Sequence, residues 1–141
     1  MRFLAVVLLA LVLAPATMAE RSSAPTLKAR SSSFGKVLFD GRGFVVYAFT
    51  RDHGRSACYG ACAKAWPPYF APKGALNAGA GVKRALLGTV KRTDGRRQVT
   101  YAGRPLYYYV GDKRAGQILC QDVVEYGGRW LVVRPSGKLV R

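Results

Sequence analysis

The chain has 141 residues, a length for one domain, and half of them are hydrophobic, which excludes a wholly disordered chain. It carries 23 Lys and Arg against 7 Asp and Glu, a net charge of +16. That balance excludes attraction to basic partners and favours polyanions: anionic lipid headgroups, teichoic or lipopolysaccharide phosphates, or acidic polysaccharide.

The first segment does not belong to the domain. Met1-Arg2 is a short basic start, Phe3 to Pro15 is an apolar run, and Thr17-Met18-Ala19 offers small residues for cleavage before Glu20. This pattern predicts a signal peptide over 1–19, too short and wrongly flanked to span a membrane. No cysteine lies near the cleavage point, so no lipid anchor is expected. Only Arg2 leaves with the signal, which puts the mature charge at about +15. The expected location is periplasmic or extracellular, where a specific nucleic-acid partner is not expected. Residues 20–33 are rich in Ser, Ala and basic residues and read as a flexible tether.

A single β-rich domain is expected over 34–141. Lys36 to Phe39 reads as a strand, Asp40-Gly41-Arg42-Gly43 as a turn, and Phe44 to Phe49 as the returning strand. Ser56 can cap a brief helix through about Ala65, stopped by Pro67-Pro68. On a regular helix Cys58, Cys62 and Trp66 share one face, although Gly60 weakens it. Residues 72–82, with Gly and Ala, read as a mobile loop. Leu87 to Lys91 and Gln98 to Tyr101 flank Asp94-Gly95, a hairpin signal. Ala102-Gly103-Arg104 turns the chain into Pro105 to Val110. Trp130 to Val133 and Lys138 to Val140 close a last hairpin around Pro135-Ser136-Gly137. The fold class is mainly β, with short antiparallel strands, hairpins and one short cysteine-containing helix.

One sequence is written twice. Gly43 to Asp52 returns as Gly103 to Asp112, and both copies reduce to Gly followed by Tyr-x-aromatic-x-x-Asp. The motif residues are Tyr47, Phe49 and Asp52, then Tyr107, Tyr109 and Asp112. Trp66 follows the first copy and Trp130 the second. Two similar units, about 34–70 and 87–134, are expected to share one core. Tyr47 and Phe49 share one strand face, with Val46 and Ala48 opposite. Tyr107 and Tyr109 share a face opposite Leu106, Tyr108 and Val110. Both faces are apolar or aromatic, which predicts central strands.

These residues resemble the bacterial "secreted repeat of unknown function" family, whose members are often labelled lipoproteins with a Tyr-x-aromatic-x-x-Asp motif. The resemblance runs through Tyr47-x-Phe49-x-x-Asp52, Ser56 to Ala63, Trp66-Pro67-Pro68, Lys91 to Gly95, Tyr101 to Tyr107, Gly111-Asp112 and Trp130. It implies an exported location and a shared fold, and names no reaction. The chain lacks the lipobox cysteine. It also has Cys120 where a cysteine-free Gly-rich stretch is common among relatives, so the usual cysteine pairing need not carry over.

Three cysteines suit an oxidising compartment and leave one over. Closing Cys58 to Cys62 contributes only about 2 kcal/mol in the entropy model, against about 4 for a bridge to Cys120. Helical i, i+4 spacing is still within disulfide reach, so Cys58–Cys62 leads and Cys62–Cys120 is the alternative. A third reading is copper: His53, Cys58 and Cys62 offer one imidazole and two thiolates, a set suited to Cu(I). Asp52 and Asp112 read first as turn or helix caps accepting backbone N–H bonds. No cofactor is otherwise implied. No Ser or Cys nucleophile has a nearby base, and no phosphate loop or zinc motif is present. The leading function is an exported, non-enzymatic β-rich envelope module that binds or supports structure at an anionic surface. The alternative is a copper-binding or thiol-redox protein using Cys58 and Cys62.

Overall fold

The alternation of apolar residues on both faces of the motif strands is realised as a sheet with a core on each side. The computed structural model describes residues 24–141, so the expected signal peptide lies outside the described residues. The strands in chain order are β1 (Leu27–Ser32), β2 (Gly35–Asp40), β3 (Tyr47–Phe49), β4 (Leu87–Lys91), β5 (Arg97–Tyr101), β6 (Arg104–Tyr107), β7 (Val123–Glu125) and β8 (Gly128–Val132). One helix, α1 (Ala61–Ala65), follows β3, and a 3-10 turn at Arg84–Leu86 precedes β4. β1 and β2 form a two-stranded sheet, and the others form a six-stranded sheet in the order β4-β5-β6-β3-β8-β7. All strand pairs are antiparallel.

The two copies of the motif meet at the centre of that sheet. β3 and β6 pair so that Tyr47 lies opposite Tyr107. Identical residues opposed across an antiparallel pair imply a local two-fold relation between the units. One core holds Val45, Tyr47, Phe49, Trp66, Tyr107, Trp130 and Val132. The other holds Val46, Ala48, Leu106 and Val133. Strand alternation therefore sorts each copy across the sheet as the sequence pattern predicts.

The tether expectation is corrected for part of its length. Residues 27–32 pair along β2 from Leu27↔Asp40 to Ser32↔Gly35, and Leu27 is fully buried. Ser and basic residues hide this strand because β1 is only half-buried or exposed beyond Leu27, so its composition matches a linker. The same strand fastens the segment expected to be mobile. Thr26 N–H donates to Asn77 O at 2.7 Å, Gly79 N–H to Leu27 O at 2.8 Å and Ala29 N–H to Ala80 O at 2.8 Å.

The helix is also shorter than expected. Gly60 has φ of 56° and breaks it, so only Ala61–Ala65 is helical and Cys58 lies outside. β2 takes β1 as its main partner, and its contact with the following segment narrows to a Phe39↔Val45 bridge. The Asp94-Gly95 hairpin forms, with Arg92 N–H on Arg96 O at 2.8 Å. Between β5 and β6, Ala102 and Gly103 both have positive φ, 50° and 73°, the backbone of a two-residue type I′ turn. β7 is not legible as a strand in the sequence. Its burial pattern places Val124 and Glu125 in solvent.

Candidate functional site

The central strands carry the phenols of Tyr47 and Tyr107 into the interior, where each hydroxyl needs a partner. Each finds the aspartate of the other unit. Tyr47 OH donates to Asp112 Oδ2 at 2.8 Å, and Tyr107 OH donates to Asp52 Oδ2 at 2.8 Å. The second carboxylate oxygens cap the loops that follow. Asp52 Oδ1 accepts Ala57 N–H at 2.7 Å, and Asp112 Oδ1 accepts Leu119 N–H at 3.0 Å. Capping accounts for half of each aspartate's bonding, and the cross-unit phenol accounts for the rest. A third pair has the same chemistry: Tyr108 OH donates to Asp40 Oδ2 at 2.9 Å.

The tryptophans stack on one another between the motif strands. Trp66 and Trp130 lie with ring centroids 4.0 Å apart and planes 5° from parallel. Phe49 stacks on Trp130 at 4.1 Å, and Tyr109 packs on Trp66 at 4.8 Å. Tyr47 meets Trp66 edge-on at 5.2 Å, and Tyr107 meets Trp130 edge-on at 5.1 Å. Both indole N–H groups go to Glu125: Trp66 Nε1 to its carboxylate at 2.8 Å and Trp130 Nε1 to its backbone oxygen at 3.3 Å. All of the motif residues thus lie in one cluster, with Glu125 added at its edge.

Residues of both units extend this cluster into a buried polar network. Ser56 Oγ lies 2.6 Å from Tyr107 OH. Arg92 Nη1 donates to Ser56 Oγ at 2.7 Å and to Gln98 Oε1 at 2.8 Å, and Arg92 Nη2 donates to Cys58 O at 2.8 Å. Gln98 Nε2 donates onward to Leu106 O at 2.7 Å. Arg92 and Gln98 escape sequence reasoning. Arg92 sits in a hairpin turn beside exposed cations, and nothing in its spacing separates it from them.

Burial pushes the Asp52 and Asp112 carboxyls above the ordinary aspartate value of 3.8, against the pull of their hydrogen-bond donors. It also pushes the Tyr47 and Tyr107 phenols up. The folded state then holds protons on the two carboxyls more tightly than the unfolded chain does. Their contribution to stability is complete below pH 3.8 and is lost as pH rises through the folded values. Asn mimics the protonated carboxyl. Urea melts of wild type and of Asp52→Asn/Asp112→Asn, taken from about pH 3.5 to 7, should therefore converge at low pH. The difference should grow in the variant's favour as pH rises. A difference that grows in favour of wild type would reverse the sign argued here.

Cys58 and Cys62 are joined, with Cα atoms 5.3 Å apart, and Cys120 is the free, buried thiol. The alternative Cys62–Cys120 bridge does not form. Burial raises the Cys120 thiol above its ordinary value, which makes it a poor nucleophile. The reading of His53, Cys58 and Cys62 as a copper set meets a chemical obstacle: a disulfide has no thiolate to offer until it is reduced. Among the described residues, no group of three His, Cys, Asp or Glu side chains is placed to hold a metal ion. His53 is exposed.

The outer surface is more one-signed than the composition alone implies. Asp40 and Asp112 are buried, and Asp52 is bound to Tyr107 and Ala57, so these carboxylates are occupied inside. Among the described residues the ion pairs are Arg42–Asp40 and Arg129–Asp122. Cations and aromatics lie together on several slopes. Arg92 and Arg96 lie over Tyr59 and Phe70, and Arg42 over Phe44 and Tyr108. A cleft of about 730 Å³ is lined by Asp40, Arg42, Tyr69, Phe70, Lys73 and Tyr108, among others. No described helix is long and apolar enough to cross a membrane.

We find no match among curated proteins or among solved structures. A family model does match, in two segments that coincide with the two units: residues 28–69 and 88–134. The first segment begins inside β1, in agreement with a first unit that reaches back before Phe34. Two matched units, joined through their own motif tyrosines and aspartates, cover more than half of the chain, and the chain belongs to the family described as "secreted repeat of unknown function".

Proposed function

We propose that the protein is an exported, non-enzymatic module of the cell envelope, freed of its signal peptide after Ala19 and held to anionic envelope polymers or lipid headgroups by charge. The supporting observation is the division of labour among its charges. Asp40, Asp52 and Asp112 are engaged with Tyr108, Tyr107 and Tyr47. Most of the Lys and Arg side chains remain exposed. An internal cluster that consumes carboxylates leaves a predominantly positive surface, which raises encounter rates with polyanions. The motif aromatics serve the scaffold: Tyr47, Trp66, Tyr107 and Trp130 are fully buried and offer no face to a ligand.

Binding of the mature protein to phosphatidylglycerol-containing vesicles and to purified envelope polymer tests this reading. Affinity should fall steeply as salt rises past physiological strength, where the Debye length is about 8 Å. Neutral vesicles and neutral glycans should not bind. Salt-insensitive binding would point to a hydrophobic contact instead.

A further inference from the structure

The strongest unassigned feature is a cavity of about 320 Å³ between α1 and the β4–β5 turn, lined in part by Tyr59, Lys64, Phe70, Arg92, Asp94 and Arg96. Arg92 forms its floor and is 5% exposed. Its guanidinium is bonded to three neutral oxygens, those of Ser56, Gln98 and Cys58, and its buried Nε has no partner. A buried cation normally faces a carboxylate. Asp52 interacts with Arg92 through charge, but its hydrogen bonds go to Tyr107 and the Ala57 N–H. Among the described residues no carboxylate is bonded to Arg92, and its guanidinium lines the cavity.

The walls add two more cations and two aromatic faces. Arg96 lies 3.3 Å from the Phe70 ring centroid, and Arg92 lies 4.2 Å from that of Tyr59. Tyr59 is 36% exposed, and its hydroxyl is held by Thr93 N–H at 3.3 Å. Lys64 and Arg96 are exposed and pair with no carboxylate among the described residues. Asp94 opposes them, but its Oδ1 is turned to the Arg96 N–H at 2.9 Å. Three cations against one anion leave the cavity positive.

We infer that this cavity binds one acidic sugar residue of an envelope polysaccharide. Tyr59 stacks on the ring, Lys64 and Arg96 take its anionic group, and Arg92 supplies charge from behind. The inference rests on the anionic-surface reading above and gives that reading an address. A sugar fits better than a lipid headgroup because the site is concave and sets an aromatic face beside cations. A bare phosphate would use the cations and leave Tyr59 idle.

Titrations of the mature protein with polygalacturonate and with polyphosphate at physiological salt test it. Lys64→Gln/Arg96→Gln should weaken polygalacturonate binding about tenfold or more, the worth of one or two charge-assisted hydrogen bonds. The control Lys83→Gln/Arg84→Gln removes the same charge from another exposed site and should weaken it less than about threefold. Tyr59→Ala should weaken polygalacturonate about tenfold and leave polyphosphate unchanged. Thermal melts confirm that each variant is folded. Equal losses in the control pair would overturn the site while leaving general charge attraction intact. Equal sensitivity of both polymers to Tyr59→Ala would overturn the sugar. Phosphatidylglycerol vesicles that displace polygalacturonate and depend on the same residues would reassign the cavity to a headgroup. A wild-type protein that binds no polyanion at all would defeat the broader reading along with this one.

Discussion

Trp130→Ala should lower the unfolding free energy by about 3–5 kcal/mol, the range for deleting a large buried aromatic. Trp130 is fully buried and touches both units at once. It stacks on Phe49 and Trp66 and meets Tyr107 edge-on. Its removal leaves a gap in the middle of the aromatic column, and rigid β-strands on either side limit collapse into it. A domain of this size has only about 5–15 kcal/mol of total stability, so the loss is a large share. Urea unfolding followed by far-ultraviolet circular dichroism and by fluorescence of the remaining Trp66 measures it. Both probes should move together, because the column joins the units. A variant in which one probe melts early, with the other near wild type, would show that the units hold separately.

Arg92→Met should cost about 2–4 kcal/mol, read from the same melts. Methionine keeps much of the volume, so the loss reports the hydrogen bonds more than a cavity. Gln98 Oε1 loses its Arg92 donor, the Cys58 carbonyl keeps only a long contact from Ser56 Oγ at 3.5 Å, and an unmade buried hydrogen bond costs about 1–3 kcal/mol. An opposing effect exists. Removing a buried cation relieves its desolvation, which makes some apolar replacements neutral or favourable. The bonds should win here because Arg92 reaches three oxygens in short, charge-assisted contacts, and because Gln98 is fully buried and cannot turn to water. Arg92→Lys should fall between wild type and Met, with one donor group in place of a fork. Arg92→Met melting above wild type would mean that the cation is retained at a cost to stability.

The repeat makes the centre of the molecule legible from the amino-acid order alone. The Tyr-x-aromatic-x-x-Asp motif puts Tyr47 and Tyr107 on central strands, and alternation sorts Phe49 from Ala48 across the sheet. What the motif does not say is that its partners are exchanged. A local spacing suggests that Asp52 serves its own strand, whereas its phenol comes from Tyr107, 55 residues away. Pairings at such separations are set by strand register, and register follows from the whole core. β1 is hidden for a different reason. Its stability comes from hydrogen bonds to β2 and to residues 77–80, and backbone bonding leaves little trace in composition. α1 departs from expectation through one residue, since the left-handed Gly60 delays the helix until after Cys58. Arg92 is invisible because an arginine in a Lys-Arg-Thr-Asp-Gly turn reads as solvated, and only tertiary packing buries it.

The exchanged tyrosine–aspartate bonds have a consequence for ancestry. A single unit on its own would expose one phenol and one carboxylate, each shaped for a mate that it lacks. A second copy of that unit would supply both, through the same β3-to-β6 edge and a two-fold axis, which is the geometry of the commonest homodimers. Such an assembly would have depended on the abundance of its protomers. Fusing two copies in one chain removes that dependence, because the connecting segment fixes the local concentration of each half at the other. The two halves now differ: one carries the Cys58–Cys62 bridge, and the other a lone buried Cys120. The core of the chain thus has the symmetry of a dimer interface, closed within a single polypeptide.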